Sequence, residues 1–193
     1  METEKGKRWQ KVKAWAERVT DALGNHIDPG IMDTVILLNL LGIHTVSSCE
    51  GHLDRELTPN VMFYDPGADD LEDQFIDMRD HSDPEYKRML DECIRLNFKE
   101  VQRINPLLDE FYQDRLVPFT QRLILLPMYT GGGLLVCQGV GRSPDLSVSD
   151  PMELQHILKV NQSEMRAFTE FLSRKYFLDN QKGAPHLAGA PLR

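Results

Sequence analysis

The stretch Asp28–Gly42, DPGIMDTVILLNLLG, constrains this chain more than any other. Asp followed by Pro reads as a helix start. An Asp side chain can cap exposed amides, and proline at the first helical position gives up only a donor that would lack an intrahelical partner. Gly42 reads as the stop. In between, Ile31, Val35, Leu38 and Leu41 form one apolar stripe, while Ile36, Leu37 and Leu40 add a second. A helix apolar on two sides is expected to be buried over most of its circumference.

The flanking segments supply the rest of the architecture. Residues 4–23 carry Trp9, Val12, Ala16, Val19 and Leu23 at helical spacing, with Lys5, Lys7, Arg8, Lys11 and Lys13 around them, and Gly24-Asn25 as a stop. After the buried helix, 43–48 and 60–64 read as short strands that could pair as neighbours. From Asp65 to Asp80 there are seven carboxylates against one arginine, which predicts an exposed acidic loop entering a short helix. Residues 84–116 form a long helical pattern through Met89, Cys93, Leu96, Phe98 and Val101; Asn105-Pro106 predicts either a kink or a split into two helices. Segments 122–129 and 134–138 read as strands joined by Thr130-Gly131-Gly132-Gly133, with Pro127 marking the first as an edge or bulged strand. Asp150-Pro151 opens a last helical region, with Asn161-Gln162-Ser163 a candidate break.

Helices and strands thus come in blocks, which predicts an α+β fold with a small, mostly antiparallel sheet and several packed helices. A length of 193 residues, 41% hydrophobic and 27% charged, suits one globular domain over 1–180, followed by a flexible tail over 181–193. The net charge of -8 opposes duplex nucleic acid as a partner. A charged opening, METEKGKRWQ, and the lack of a long apolar run point to a cytoplasmic protein that does not cross a membrane. Three cysteines in no framework spacing are expected to be thiols, with Cys93 and Cys137 in the core.

Chemistry concentrates in HTVSSCEGHLD, residues 44–54. Ser47, Ser48, Cys49, Glu50, His52 and Asp54 place two hydroxyls, a thiol, two carboxylates and an imidazole after a strand, and Gly51 relaxes the backbone where the chain turns. Turn formation explains glycine and serine, but not Cys, Glu and His together. Three chemistries are open. Cys49 could be a nucleophile activated by His52. Cys49 and His52 could be half of a zinc site completed by His26, Asp28 or Cys137. Glu50 and His52 could act as acid and base, with Ser47 and Ser48 as ligand-positioning donors. Gly131 and Gly132 could add an anion-binding nest facing the Cys49 loop across the sheet, with Arg122 or Arg142 lending charge.

From Asp28 to Phe63 the order of an acidic start, a helix with Asn39, then Thr45, Ser47-Ser48-Cys49, Gly51 and a return strand resembles the SSC-x-G segment of the tRNA wybutosine-synthesis methyltransferases. It is also similar to uncharacterised bacterial proteins bearing an SCEGH turn. The first resemblance implies methyl transfer from S-adenosylmethionine to a modified guanine in tRNA, and it carries over Ser47, Ser48, Cys49, Gly51 and Asp28. Glu50-Gly51-His52 stands where that family continues Ser-Gly-Arg, so an anion clamp is exchanged for a titratable ring. The functional expectation is a small enzyme, of group-transfer type by resemblance, acting on a nucleotide-like or small polar ligand at the SSCEGH loop. A ligand- or protein-binding module and a zinc-stabilised interaction domain are the alternatives.

Overall fold

The computed structural model describes residues 3–21, 23–54, 58–141 and 150–178 of the chain. The expected tail and Arg142 lie outside those residues. Among the described residues, five α-helices accompany one four-stranded antiparallel sheet, an α+β fold as expected. The helices are α1 (Glu4–Ala16), α2 (Pro29–Leu40), α3 (Pro66–Phe75), α4 (Pro84–Tyr112) and α5 (Pro151–Leu178). The strands are β1 (Thr45–Cys49), β2 (Asn60–Phe63), β3 (Leu123–Pro127) and β4 (Gly133–Cys137), in the order β1-β2-β4-β3. Pro127 therefore sits on an edge strand, where its missing donor breaks no ladder. Among the described residues, no helix is long and apolar enough to cross a membrane.

Helix α2 is the centre of the main core. Ile31, Val35, Ile36, Leu37, Leu38 and Leu40 are all buried, so its two apolar stripes are both covered, by α1, α5 and β1. The helix ends at Gly42, whose φ of 82° is a left-handed angle natural to glycine. Two residues later the chain returns as β1. A 12-residue helix rises about 18 Å and a five-residue strand about 17 Å, so the end of β1 comes back level with the start of α2. Asn39 fixes the far end of this hairpin, donating to Val35 O at 2.9 Å and Thr45 Oγ1 at 2.7 Å. This length match positions the site.

Several elements differ from the sequence expectation. Helix α1 stops at Ala16 and does not continue to Leu23, because Asp21 Oδ1 accepts the amides of Leu23 and Asn25 and holds a turn closed by the Thr20–His26 bridge. Leu23 is exposed in consequence. The acidic segment after Asp65 is already helical: the Asp65 carboxylate caps Gly67 N, while Ala68 and Phe75 anchor α3 on α4. Helix α4 runs unbroken through Pro106, whose ring lies on the exposed side where water can satisfy the carbonyl that loses its partner. Its buried face is Tyr86, Met89, Cys93, Asn97, Glu100, Ile104, Leu108 and Phe111, and Phe98 points out. Helix α5 also runs unbroken, through Asn161-Gln162-Ser163. Asn161 is buried there, and Gln162 reaches across to the loop after β1.

Candidate functional site

The return of β1 beside the start of α2 creates an exchange of partners. Asp28 occupies the N-cap of α2, yet its side chain makes no cap hydrogen bond. Its Oδ2 instead accepts the amide of Glu50 at 3.1 Å and lies 3.1 Å from His52 Nε2. The vacated capping role falls to Glu50, whose Oε2 accepts Gly30 N–H at 2.6 Å. A carboxylate at a helix N-terminus gains both that bond and the helix dipole. The expected cap is thus supplied from 20 residues downstream in the sequence.

Gly51 completes the turn with φ 84°. Its N–H donates to Cys49 Sγ at 3.3 Å, and its carbonyl, with that of Glu50, accepts Gln162 Nε2 from α5. A Cβ at position 51 would come within 2.9 Å of Leu158 Cδ1 and 3.0 Å of Pro59 N, so the loop is packed on both sides. Asp28, Cys49 and His52 each offer a donor atom, and these atoms all lie within 4.8 Å of one another. All three residues are half-buried.

The cluster adjoins a cleft of about 230 Å³ lined by Gly30, Glu50, Pro59, Gln162, Met165 and Arg166. Glu50 and Gly30 line that cleft, whereas Asp28, Cys49 and His52 do not, and the link between the two is Glu50, whose amide donates to Asp28. Arg166 brings a guanidinium to a wall that otherwise carries the Glu50 carboxylate, already engaged by the helix. Gln162 and Arg166 are functional candidates that sequence reasoning passed over. They lie more than a hundred residues from the loop, and the polar face of a long helix carries no local sign of what it faces.

The structure brings together Cys49, His52 and Asp28, and it turns Glu50 away from His52 towards the helix end. The carboxylate beside the imidazole is Asp28. Ser47 and Ser48 belong to strand β1, not to a turn, and they line a different, smaller cleft of about 130 Å³ together with Trp15, Thr20 and His26. Gly131 and Gly132 do not face the Cys49 loop. Cys49 pairs with Asn60 and Asn60 with Val136, whereas Gly133 pairs with Phe63 at the other end of β2. The glycines permit close packing instead: a Cβ on Gly131 would meet Ile94 Cα at 2.8 Å, and one on Gly132 the Tyr64 ring at 2.6 Å.

Of the other possible zinc partners, His26 belongs to the smaller cleft, and Cys137 is buried with its thiol directed to Asn161 O. Burial pushes the thiols of Cys93 and Cys137 up to about 11 and about 12, so both are core groups of low reactivity. Arg122 donates to Val117 O and lies over the Tyr112 ring. Phe63 and Tyr64 are buried, Tyr64 with its hydroxyl on Thr130, and His81 stacks on Tyr86.

Fold and site together define a small antiparallel α+β protein with a thiol–imidazole–carboxylate cluster at the mouth of a helix–strand hairpin. Comparison with family models, with curated proteins and with solved structures finds no match, so the reading of this site rests on its own geometry.

Proposed function

We propose that this chain is a group-transfer enzyme acting on a small polar ligand, with Asp28, Cys49 and His52 as its reactive cluster and the adjoining cleft as its binding site. One observation carries the reading. Three side chains of reactive type, from two segments about twenty residues apart, converge within 4.8 Å and stay half-exposed beside an open cleft. Hydrogen bonds from the Glu50 and Gly51 amides fix the carboxylate and the sulfur, and Gln162 fixes the backbone that carries those amides. Such external support keeps a reacting group in a working geometry.

The ligand is small. A volume of about 230 Å³ falls below the roughly 300–1,000 Å³ of pockets that enclose drug-sized molecules. It suits a compact ligand, or the head of a larger one, and not a whole S-adenosylmethionine beside its acceptor. Arg166 favours an anionic group on that ligand, such as a phosphate or carboxylate. Transfer as the reaction class follows from the resemblance of residues 28–63 alone.

The test begins with a thermal-shift screen of phosphate monoesters, nucleotides and small carboxylic acids, since a ligand of the folded state raises the melting temperature by mass action. Hits are incubated with protein and analysed by mass spectrometry. Conversion is expected, and Asp28→Asn, Cys49→Ser and His52→Gln should each lower it by about 100-fold or more. Normal turnover in all three variants refutes the assignment. A hit recovered unchanged after long incubation makes the protein a binding module instead.

A further inference from the structure

We propose that Asp28, Cys49 and His52 bind a divalent transition-metal ion of the zinc type, leaving one coordination position open towards ligand. The inference rests on the enzyme reading above and names the cofactor class of the same cluster.

The donor set is selective. Thiolate, imidazole and carboxylate together suit a borderline-soft ion such as Zn²⁺ or Co²⁺, while Mg²⁺ and Ca²⁺ take oxygen donors almost exclusively. The spacing is compatible with one ion. Metal–sulfur and metal–nitrogen or –oxygen bonds of about 2.3 and 2.0 Å in a tetrahedron put neighbouring donors about 3.3–3.5 Å apart. His52 Nε2 and Asp28 Oδ2 already stand at 3.1 Å, and the sulfur must close from within 4.8 Å. Closing that gap takes a shift of about 1.5 Å at most, and the metal would replace the His52–Asp28 hydrogen bond.

On binding metal the three ligands would be thiolate, carboxylate and neutral imidazole, a set whose charge a divalent cation brings to zero. The outer hydrogen bonds are those that metal ligands use. The Glu50 amide orients the Asp28 carboxylate, and the Gly51 amide donates to the Cys49 sulfur. Position 51 needs a glycine to place that amide, because its φ is 84° and both flanks are filled.

Three protein ligands are one fewer than a structural zinc site uses. The fourth position belongs to water or to the ligand, and an ion there lowers the pKa of bound water or polarises a bound oxygen. The zinc-stabilised interaction domain considered from sequence alone would need a fourth protein ligand. Among the described residues, the cluster that the structure assembles has three.

The experiment uses the full chain, stripped with chelator and reloaded with ZnCl₂ or CoCl₂. One equivalent of metal by elemental analysis is expected, together with a thiolate-to-cobalt charge-transfer band and tetrahedral d–d bands. Cys49→Ser should abolish the charge-transfer band. Asp28→Asn and His52→Gln should weaken cobalt affinity by more than the roughly 10–100-fold that loss of an outer hydrogen bond costs. In the wild-type chain, Zn²⁺ should protect Cys49 from iodoacetamide, a readout that needs no variant to fold. Less than a tenth of an equivalent bound, with Cys49 alkylated equally with and without Zn²⁺, overturns the metal site. So does stoichiometric binding that Cys49→Ser leaves unchanged. If the metal-free protein turns over a screened ligand and the three variants do not, the enzyme reading stands and the metal falls. If zinc binds at Cys49 while no compound is converted, the reverse holds.

Discussion

Exchange of caps between Asp28 and Glu50 makes a prediction in which the sign of a mutation depends on its background. Glu50 Oε2 receives the Gly30 amide at 2.6 Å, and a Cβ added to Gly30 would stand 2.6 Å from that same oxygen. Removing the carboxylate with Glu50→Ala costs a cap and a favourable dipole interaction, about 1–2 kcal/mol together for a half-exposed group. In a chain of this length that lowers the melting temperature by about 2–8 °C. Glu50→Gln keeps an acceptor and loses only the charge, about 0.3–1 kcal/mol. Gly30→Ala ordinarily stabilises a helix by up to about 1 kcal/mol. Here the new methyl displaces the carboxylate, so in the wild-type background the gain is cancelled or reversed. In the Glu50→Ala background nothing is displaced, because the nearest remaining atom, Glu50 Cβ, lies 3.4 Å away at ordinary contact. Gly30→Ala should then stabilise. The coupling between the two positions is therefore about 1–2 kcal/mol, within the range of residues in contact. Urea unfolding of the four proteins of the cycle, followed by far-UV circular dichroism, measures it. A coupling below about 0.4 kcal/mol, the scatter of independent sites, would show that Glu50 does not cap α2.

Other consequences can be measured with the same protein. Gly51→Ala should destabilise by about 2 kcal/mol or more, because alanine pays about 1–2 kcal/mol in the left-handed region and also meets Leu158 and the Pro59 backbone; a smaller loss in urea melts would mean that the loop gives way easily. Native protein treated with iodoacetamide should be labelled at Cys49 long before Cys93 and Cys137, which are fully buried and have raised thiol pKa values; peptide mass spectrometry showing equal labelling contradicts the core assignment. Burial raises the pKa of Glu100 above its ordinary value near 4.5, against the opposing pull of Arg103 and the His44 amide. A raised carboxyl contributes stability that is full below 4.5 and lost as pH rises through the folded-state pKa. Glu100→Gln should therefore lose less stability than wild type between pH 4.5 and 7, and parallel pH profiles of unfolding free energy count against that buried charge.

Much of the fold was legible because it follows from local rules. The Asp-Pro start, the double apolar stripe and the stop at Gly42 define α2 without reference to anything else, and Pro127 marks its own strand as an edge. Errors arose where tertiary contact overrides local preference. Pro106 and the polar triplet 161–163 look like breaks, yet α4 and α5 run through them because long buried faces hold each helix together. Asp21 did the opposite, ending α1 early by capturing amides that the apolar spacing had assigned to a helix. The apolar spacing of α4 runs through Phe98, which is exposed, while its inner face carries the polar Asn97 and Glu100.

The candidate site divides along the same line. Sequence alone named Cys49 and His52 and placed Asp28 at the helix start, since unusual side chains crowded around a glycine are visible in a string of letters. One of its three open readings set Glu50 beside His52 as acid and base, two residues apart along the chain. Tertiary structure decided that the partner is Asp28, that Glu50 serves the helix, and that Gln162 and Arg166 attend the loop from α5. The physical reason is length: a strand that rises nearly as far as the preceding helix brings its end back to that helix's beginning, and only when both are laid side by side on a packed core does the distance between residues 28 and 52 become a hydrogen bond.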